Sequence, residues 1–285
     1  MTAIFGPAGN SESFSARYKS SLDAPRFLRE MGLDCYEYQC GRGVNIGEDT
    51  ARALGERARE QGICLSVHSP YFINLSSPDA DRREKNIGYI LSSCRAAQWM
   101  GGDRVVVHCG GLTGQTREQA LANTLSGLRE ALLRLDDEGL GAVRLCIETM
   151  GKVNVLGDLS EVILICRSDE RLLPCIDFGH LNARTLGRVS TRAELAAVLD
   201  ALHDGLGAER SRIFHAHFSK IEYSKGGEVK HLTFSDTVYG PDFAPLAALL
   251  AERELAPHII CESAGTQAED ALAMKTMYQQ AVCSR

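Results

Sequence analysis

Apolar residues fall along this chain in short, β-rich runs separated by longer stretches with helical spacing. The runs are AIFG (3–6), CYEYQ (35–39), CLSVHS (64–69), RVVVHCG (104–110), RLCIETM (144–150), LPCIDFG (173–179), RIFHAHFS (212–219) and HIICESA (258–264). The stretches between them predict helices over 22–31, 49–61, 83–100, 116–138, 159–168, 191–206, 242–254 and 268–281. Asp49, Thr116 and Thr191 stand where helix-capping residues belong, because a short side-chain oxygen can accept from the free amides of a first turn. Strands alternating with helices imply a parallel sheet covered by helices. Eight such units match the count of a (β/α)₈ TIM barrel in the α/β class, with an open doubly wound sheet as the alternative. No Pro/Ser-rich linker or shift of composition divides the chain, so residues 1–285 are expected to form one barrel domain.

Composition narrows the class. With 44% apolar and 24% charged residues in 285, the chain reads as a soluble globular protein rather than a disordered or fibrous one. No apolar run reaches the ~18 residues of a membrane span, and MTAIFGPAGNSES lacks the basic and apolar regions of a signal peptide, so a cytoplasmic location is expected. The net charge of −6 argues against a broadly basic nucleic-acid-binding coat. The ten cysteines form no CxxC pair, and several sit in apolar runs. They are expected to be buried, reduced thiols rather than disulfides or a thiolate zinc site.

The chemistry lies at the strand ends. In a TIM barrel the carboxyl ends of all strands share one rim, where catalytic groups gather. Here the third to sixth strands end in His68, His108, Glu148 and Asp177, with His180 just beyond. The seventh carries His215 and His217, the eighth ends in Glu262, and His231 follows in the loop after the seventh. Of the eight histidines only His203 and His258 fall outside this set. A single histidine at a strand end is usually a hydrogen-bonded structural residue. Many carboxylates and imidazoles converging on one rim would be costly to desolvate without cations. Imidazole and carboxylate are ligands for zinc, manganese and related ions, so a multi-ligand metal site is expected.

The stretches VHSPYFINL (67–75), VVVHCGG (105–111), CIETMGK (146–152), CIDFGHLNAR (175–184), HAHFSK (215–220), KHLTF (230–234) and ICESA (260–264) resemble, in order and spacing, the metal motifs of endonuclease IV. That is AP endonuclease family 2 of the xylose isomerase-like TIM barrel superfamily. The resemblance implies a zinc-dependent hydrolase of DNA repair that cuts the DNA backbone 5′ to abasic sites with a metal-activated hydroxide. It implies two or three Zn²⁺, with Mn²⁺ or Mg²⁺ as alternatives, DNA containing abasic sites as partner, and no obligatory protein partner.

Carried over by position, His68, His108 and Glu148 would hold the first metal. Glu148 would bridge to a second, held also by Asp177, His215 and Glu262, and His180 and His231 would serve the third. Glu148 and Glu262 would be the catalytic carboxylates. His215 is preferred to His217 because Ser219-Lys220 follow it at the family's spacing. His217, Tyr71, Arg42 and Lys220 would then meet the substrate, Tyr71 by pushing into the DNA at the lesion. Three dications would add six positive charges at the mouth, cancelling the formal deficit.

Two departures stand out. Val229 occupies the position of the family's third-site Asp, with Glu228 adjacent, and CGRGVNIG (40–47) lacks the family's Asn-Gln-Arg pattern. Gly226-Gly227 suggests a mobile segment before His231. The rival reading is a sugar isomerase or epimerase of the same superfamily, with one metal on Glu148, Asp177, His215 and Glu262. A third is a metal-binding relative without nuclease activity. His68, His108, His180 and His231, which a one-metal isomerase does not require, favour the nuclease-like reading.

Overall fold

All eight expected strands form and pair in parallel. The computed structural model describes residues 2–285. The strands in chain order are β1 (Ile4–Pro7), β2 (Cys35–Gln39), β3 (Cys64–His68), β4 (Arg104–Val107), β5 (Arg144–Glu148), β6 (Leu172–Asp177), β7 (His215–Phe218), β8 (Ile221–Ser224), β9 (Gly227–His231) and β10 (His258–Cys261). The barrel sheet runs β1-β10-β7-β6-β5-β4-β3-β2, while β8 and β9 form a separate antiparallel hairpin. Closure between β1 and β2 rests on a parallel bridge from Ala8 to Glu37 and on two backbone bonds, Asp34 N to Phe5 O and Gly9 N to Glu37 O, each 2.9 Å. The result is a TIM barrel.

The helices are α1 (Glu12–Arg17), α2 (Ala24–Met31), α3 (Glu48–Gln61), α4 (Ala80–Met100), α5 (Arg117–Asp137), α6 (Leu159–Cys166), α7 (Phe178–Arg184), α8 (Arg192–Arg212), α9 (Ala244–Glu252) and α10 (Gln267–Cys283). Thr116 and Thr191 cap α5 and α8, each in a reciprocal box with the glutamine or glutamate three residues on. Asp49 instead lies inside α3, whose cap position is Gly47. The expected end of the sixth long helix at 206 meets Gly207, whose φ of 77° interrupts α8 before it resumes to Arg212. Short α1 and α7 leave no separate periodic segment in the sequence. Each spans at most two turns, too short to show an amphipathic stripe.

The main apolar core lies between strands and helices, and a small inner cluster of Val106, Cys146, Leu173 and Cys175 fills the barrel interior. Eight cysteines are buried and all ten thiols are free, with Cys64 and Cys283 exposed. Above the inner cluster the inward-facing positions turn polar. Among the described residues no helix is long and apolar enough to cross a membrane.

Barrel closure requires a bare backbone at Gly6, where an added Cβ would stand 1.7 Å from the Cys35 carbonyl oxygen. Gly6→Ala is therefore expected to destabilise the protein by about 3 kcal/mol or more, the upper range for forcing a methyl into packed space. At exposed Gly88 in α4, an added Cβ meets nothing within 4 Å. Gly88→Ala is expected to stabilise by about 0.5–1 kcal/mol through helix propensity. Urea unfolding midpoints at unchanged slope measure both.

Candidate metal centre

Parallel strands place their carboxyl ends on one rim, and the barrel's ionisable residues stand there. His68, Glu148 and Asp177 close β3, β5 and β6, while His108 and Glu262 directly follow β4 and β10. Asp177 is also the N-cap of α7, its Oδ1 accepting from the His180 amide at 2.6 Å, so capping sets His180 beside it.

Among the described residues five groupings of potential donors form; two, His68–His217–Glu262 and the deeper Cys175–His215–His217, overlap the three set out next. His68, His108 and Glu148 form the first, with the two Nε2 atoms 3.3 and 2.8 Å from Glu148 Oε2. Glu148, Asp177, His217 and Glu262 form the second, with His217 Nδ1 3.2 Å from Glu148 Oε1 and 3.5 Å from Glu262 Oε2. His180, Glu228 and His231 form the third, with Glu228 Oε2 3.4 Å from His180 Nε2 and Oε1 4.0 Å from His231 Nε2. Glu148 belongs to two of them and stands 3.4 Å from His180 Nδ1 as well.

The rings are oriented from behind. Nδ1 of His68 pairs with the Ser69 carbonyl at 2.7 Å, and that of His108 with the Tyr71 carbonyl at 3.0 Å. Nδ1 of His180 pairs with the Thr149 carbonyl at 2.9 Å, and that of His231 with Ser219 Oγ at 2.8 Å. A carbonyl can only accept, so in the neutral ring it fixes the hydrogen on Nδ1 and leaves the Nε2 lone pair facing the cavity. Asp177 Oδ2 is buried with no hydrogen-bond partner, a carboxylate oxygen aimed at the same space. Oriented imidazoles, converging carboxylates and this orphan oxygen fit divalent metal ions.

The electrostatics ask for positive charge. Burial alone would raise the Glu148 carboxyl, but His108 and His217 outweigh it and hold it well below the usual range. Glu262 behaves alike, burial being overcome chiefly by His217, and falls to about 2. Burial dominates at Asp177 and lifts it to about 6 despite His180. At His68 the carboxylate of Glu148 overcomes burial and raises the ring to about 9. Without metal, protons on imidazoles supply the cationic charge that the acids require.

Two assignments change. His215 does not join the rim group; it lies one layer deeper, fully buried, with Nε2 2.9 Å from Glu37 Oε2, and His217 takes its place. Both side chains share one face of β7, so spacing could not tell them apart; depth in the barrel does. Lys220 turns away from the rim, donating to the Asp236 carbonyl at 2.6 Å and pairing with Asp242 at 3.1 Å beside a separate cavity. Arg42 is exposed next to Gly41 and Gln39, which line the rim cavity. Tyr71 stands 55% exposed at that cavity's edge.

The segment before His231 is an ordered hairpin rather than a loose loop. Gly227 has a φ of 89° and packs so close to the Gly151 carbonyl that a Cβ would sit 2.1 Å from it. Pairing steps from Tyr223–Glu228 to Glu222–Lys230, leaving Val229 as the extra residue of a β-bulge, half exposed. The bulge turns Glu228 toward His180, so the acid one position early reaches the third group. The rim cavity, about 480 Å³, is bordered by members of all three groups together with Asn74 and Lys152.

The model of the xylose isomerase-like TIM barrel family matches residues 25–279. An uncharacterized protein of Methanocaldococcus jannaschii is 30% identical over 272 residues, 95% of this chain and 96% of that protein. A probable endonuclease 4 of Natronomonas pharaonis is 32% identical over 185 residues, 64% of each chain, so the match spans under two thirds of that relative's length. Among solved structures, a D-tagatose 3-epimerase-like protein has a TM-score of 0.72 at 20% identity, with 99% of this chain and 98% of that chain covered. Endonuclease IV from Thermus thermophilus has a TM-score of 0.67 at 19% identity, with 99% of this chain and 100% of that chain covered. At these identities the structural likeness shows the fold alone.

Linkage makes the donor set testable. His68 has a raised pKa in the folded state, so its contribution to metal-free stability is complete below about pH 6.5 and lost as pH rises through about 9. A metal ion needs the neutral ring, so ion and proton compete. Zn²⁺ added to metal-free protein near pH 7.5 is expected to release protons, and the stabilisation it confers to grow from pH 6 to 9. Indicator-dye titration and thermal melts measure the two effects, and pH-independent binding without proton release would contradict this donor set.

Proposed function

The chain belongs to the xylose isomerase-like TIM barrel family, and on that premise we propose that it is a metal-dependent phosphodiesterase of the endonuclease IV type, hydrolysing the DNA backbone 5′ to abasic sites. The observation that carries this reading is the set of three neighbouring donor groups, two of which share Glu148 while the third meets it at His180. Divalent ions on them would acidify a water and offset the charge of a phosphodiester, which is anionic and slow to hydrolyse. On this reading His68, His108 and Glu148 hold the first ion; Glu148, Asp177, His217 and Glu262 the second; His180, Glu228 and His231 the third. Glu148 and Glu262 keep the reacting centre anionic enough to retain the ions, and Tyr71 at the cavity edge meets the unstacked nucleotide. Resemblance to probable endonuclease 4 proteins supports the same class.

A specific observation favours a second reading. Glu148, Asp177, His217 and Glu262 form a complete four-ligand group on their own, as a one-metal sugar epimerase would need, and two of them, Glu148 and Glu262, line the cavity of about 480 Å³. The nuclease reading alone gives work to His68, His108, His180, Glu228 and His231.

Metal analysis of the purified protein, with incision of a duplex carrying one abasic-site analogue, separates the two. Two or three ions per chain with a single-strand cut are expected. One ion, no cut and turnover of a ketose would replace the nuclease with the epimerase. Glu148→Gln is expected to abolish either activity. His108→Ala is expected to lower incision by roughly two orders of magnitude, about 2.7 kcal/mol of barrier, while leaving a one-metal epimerase largely active.

A further inference from the structure

Beneath the three donor groups the barrel interior holds one more acid. Glu37, the middle residue of β2, is fully buried and faces both β7 histidines. β2 and β7 are not neighbours in the sheet, so this contact crosses the barrel interior. Oε2 of Glu37 accepts from Ser66 Oγ at 3.0 Å and pairs with His215 Nε2 at 2.9 Å. Oε1 accepts from Gln39 Nε2 at 3.1 Å and stands 3.1 Å from His217 Nε2. The other ring nitrogen of His217, Nδ1, faces Glu148 and Glu262.

We propose that Glu37 is the positioning residue for His217, holding its ring so that Nδ1 presents a lone pair to the ion shared with Glu148, Asp177 and Glu262. The inference rests on reading that group as a metal site. His217 Nδ1 hydrogen-bonds Glu148 Oε1 at 3.2 Å. An ion on that side would displace the Nδ1 proton, and Glu37, which only accepts, would hold the ring's remaining hydrogen on Nε2. Carboxylates behind metal-bound histidines set ring orientation and raise ligand basicity in this way.

Glu37 is itself held by Gln39, Ser66 and His215, on β2, β3 and β7, so it has little freedom to follow the ring. His217 Nε2 is at contact distance but lacks an aligned hydrogen bond. His215, whose Nδ1 has no hydrogen-bond partner and which groups with Cys175 and His217 as potential donors, serves as the anchor of Glu37 through Nε2.

The test is zinc binding by the full chain, measured by competition with a chromophoric chelator and by metal count, for wild type, Glu37→Gln and Glu37→Asp. In Glu37→Gln one acceptor oxygen becomes an amide donor, so one of the two histidines meets a donor where it needs an acceptor. One zinc per chain is expected to bind about 10–100-fold more weakly, the usual cost of losing such a partner, while the remaining zinc keeps wild-type affinity. Glu37→Asp, which keeps the charge but draws it back, is expected to fall between, and it decides the matter if Glu37→Gln does not fold. Wild-type zinc affinity in the folded variants, with only the metal-free melting temperature lowered, would overturn the inference and leave Glu37 a packing residue. Absence of zinc binding in wild type would instead remove the metal reading, and this inference with it.

Discussion

A single buried carboxylate governs the arrangement of this protein's rim. Glu148 closes β5 almost without solvent contact, with ring nitrogens of His68, His108, His180 and His217 all within 3.4 Å. An anion in that position cannot be left uncompensated, because desolvating it costs more than any one hydrogen bond returns. The imidazoles compensate it, and backbone carbonyls behind three of them hold the rings in place. Asp177 and Glu262 crowd further negative charge into the same space. The same imidazoles and carboxylates are the groups that could hold metal ions.

The barrel makes such crowding achievable. Each ligand needs only to lie at the carboxyl end of its own strand, and parallel pairing around a closed sheet brings the ends together. No loop has to be strained for His68, Glu148 or Asp177 to arrive. The third group is different, since Glu228 and His231 come from a hairpin inserted after β7. A bulge at Val229 and the close approach of Gly227 to Gly151 aim that hairpin at the rim. The same architecture therefore accommodates a compact four-ligand group and an extended three-group centre, the difference residing in residues outside the tetrad.

Strand positions, helix order and the rim location of the acids and histidines were legible because their signals are local. Short apolar runs, capping threonines such as Thr116 and Thr191, and polar residues at run ends are each read within a few residues. Glu37 carried a signal too, an acid between Tyr36 and Tyr38 at the centre of its strand, on the face shared by Cys35 and Gln39. Its meaning depended on what lies across the barrel, which no local pattern encodes.

The sequence by itself determined the kind of fold and the acids and histidines of the strand ends, since alternation and residue type are written along the chain. Only tertiary structure decided depth and direction. His215 and His217 differ by two residues, about 6.6 Å along a strand, and strand alternation treats them alike. Closure of the barrel sets His215 against Glu37 in the interior and His217 between Glu37 and the rim carboxylates Glu148 and Glu262. Lys220 is likewise near the site in sequence yet points to Asp242, and a bulge at Val229 brings the adjacent Glu228 to His180. Face is a property of spacing, whereas height above the barrel floor depends on the register of every strand around the ring.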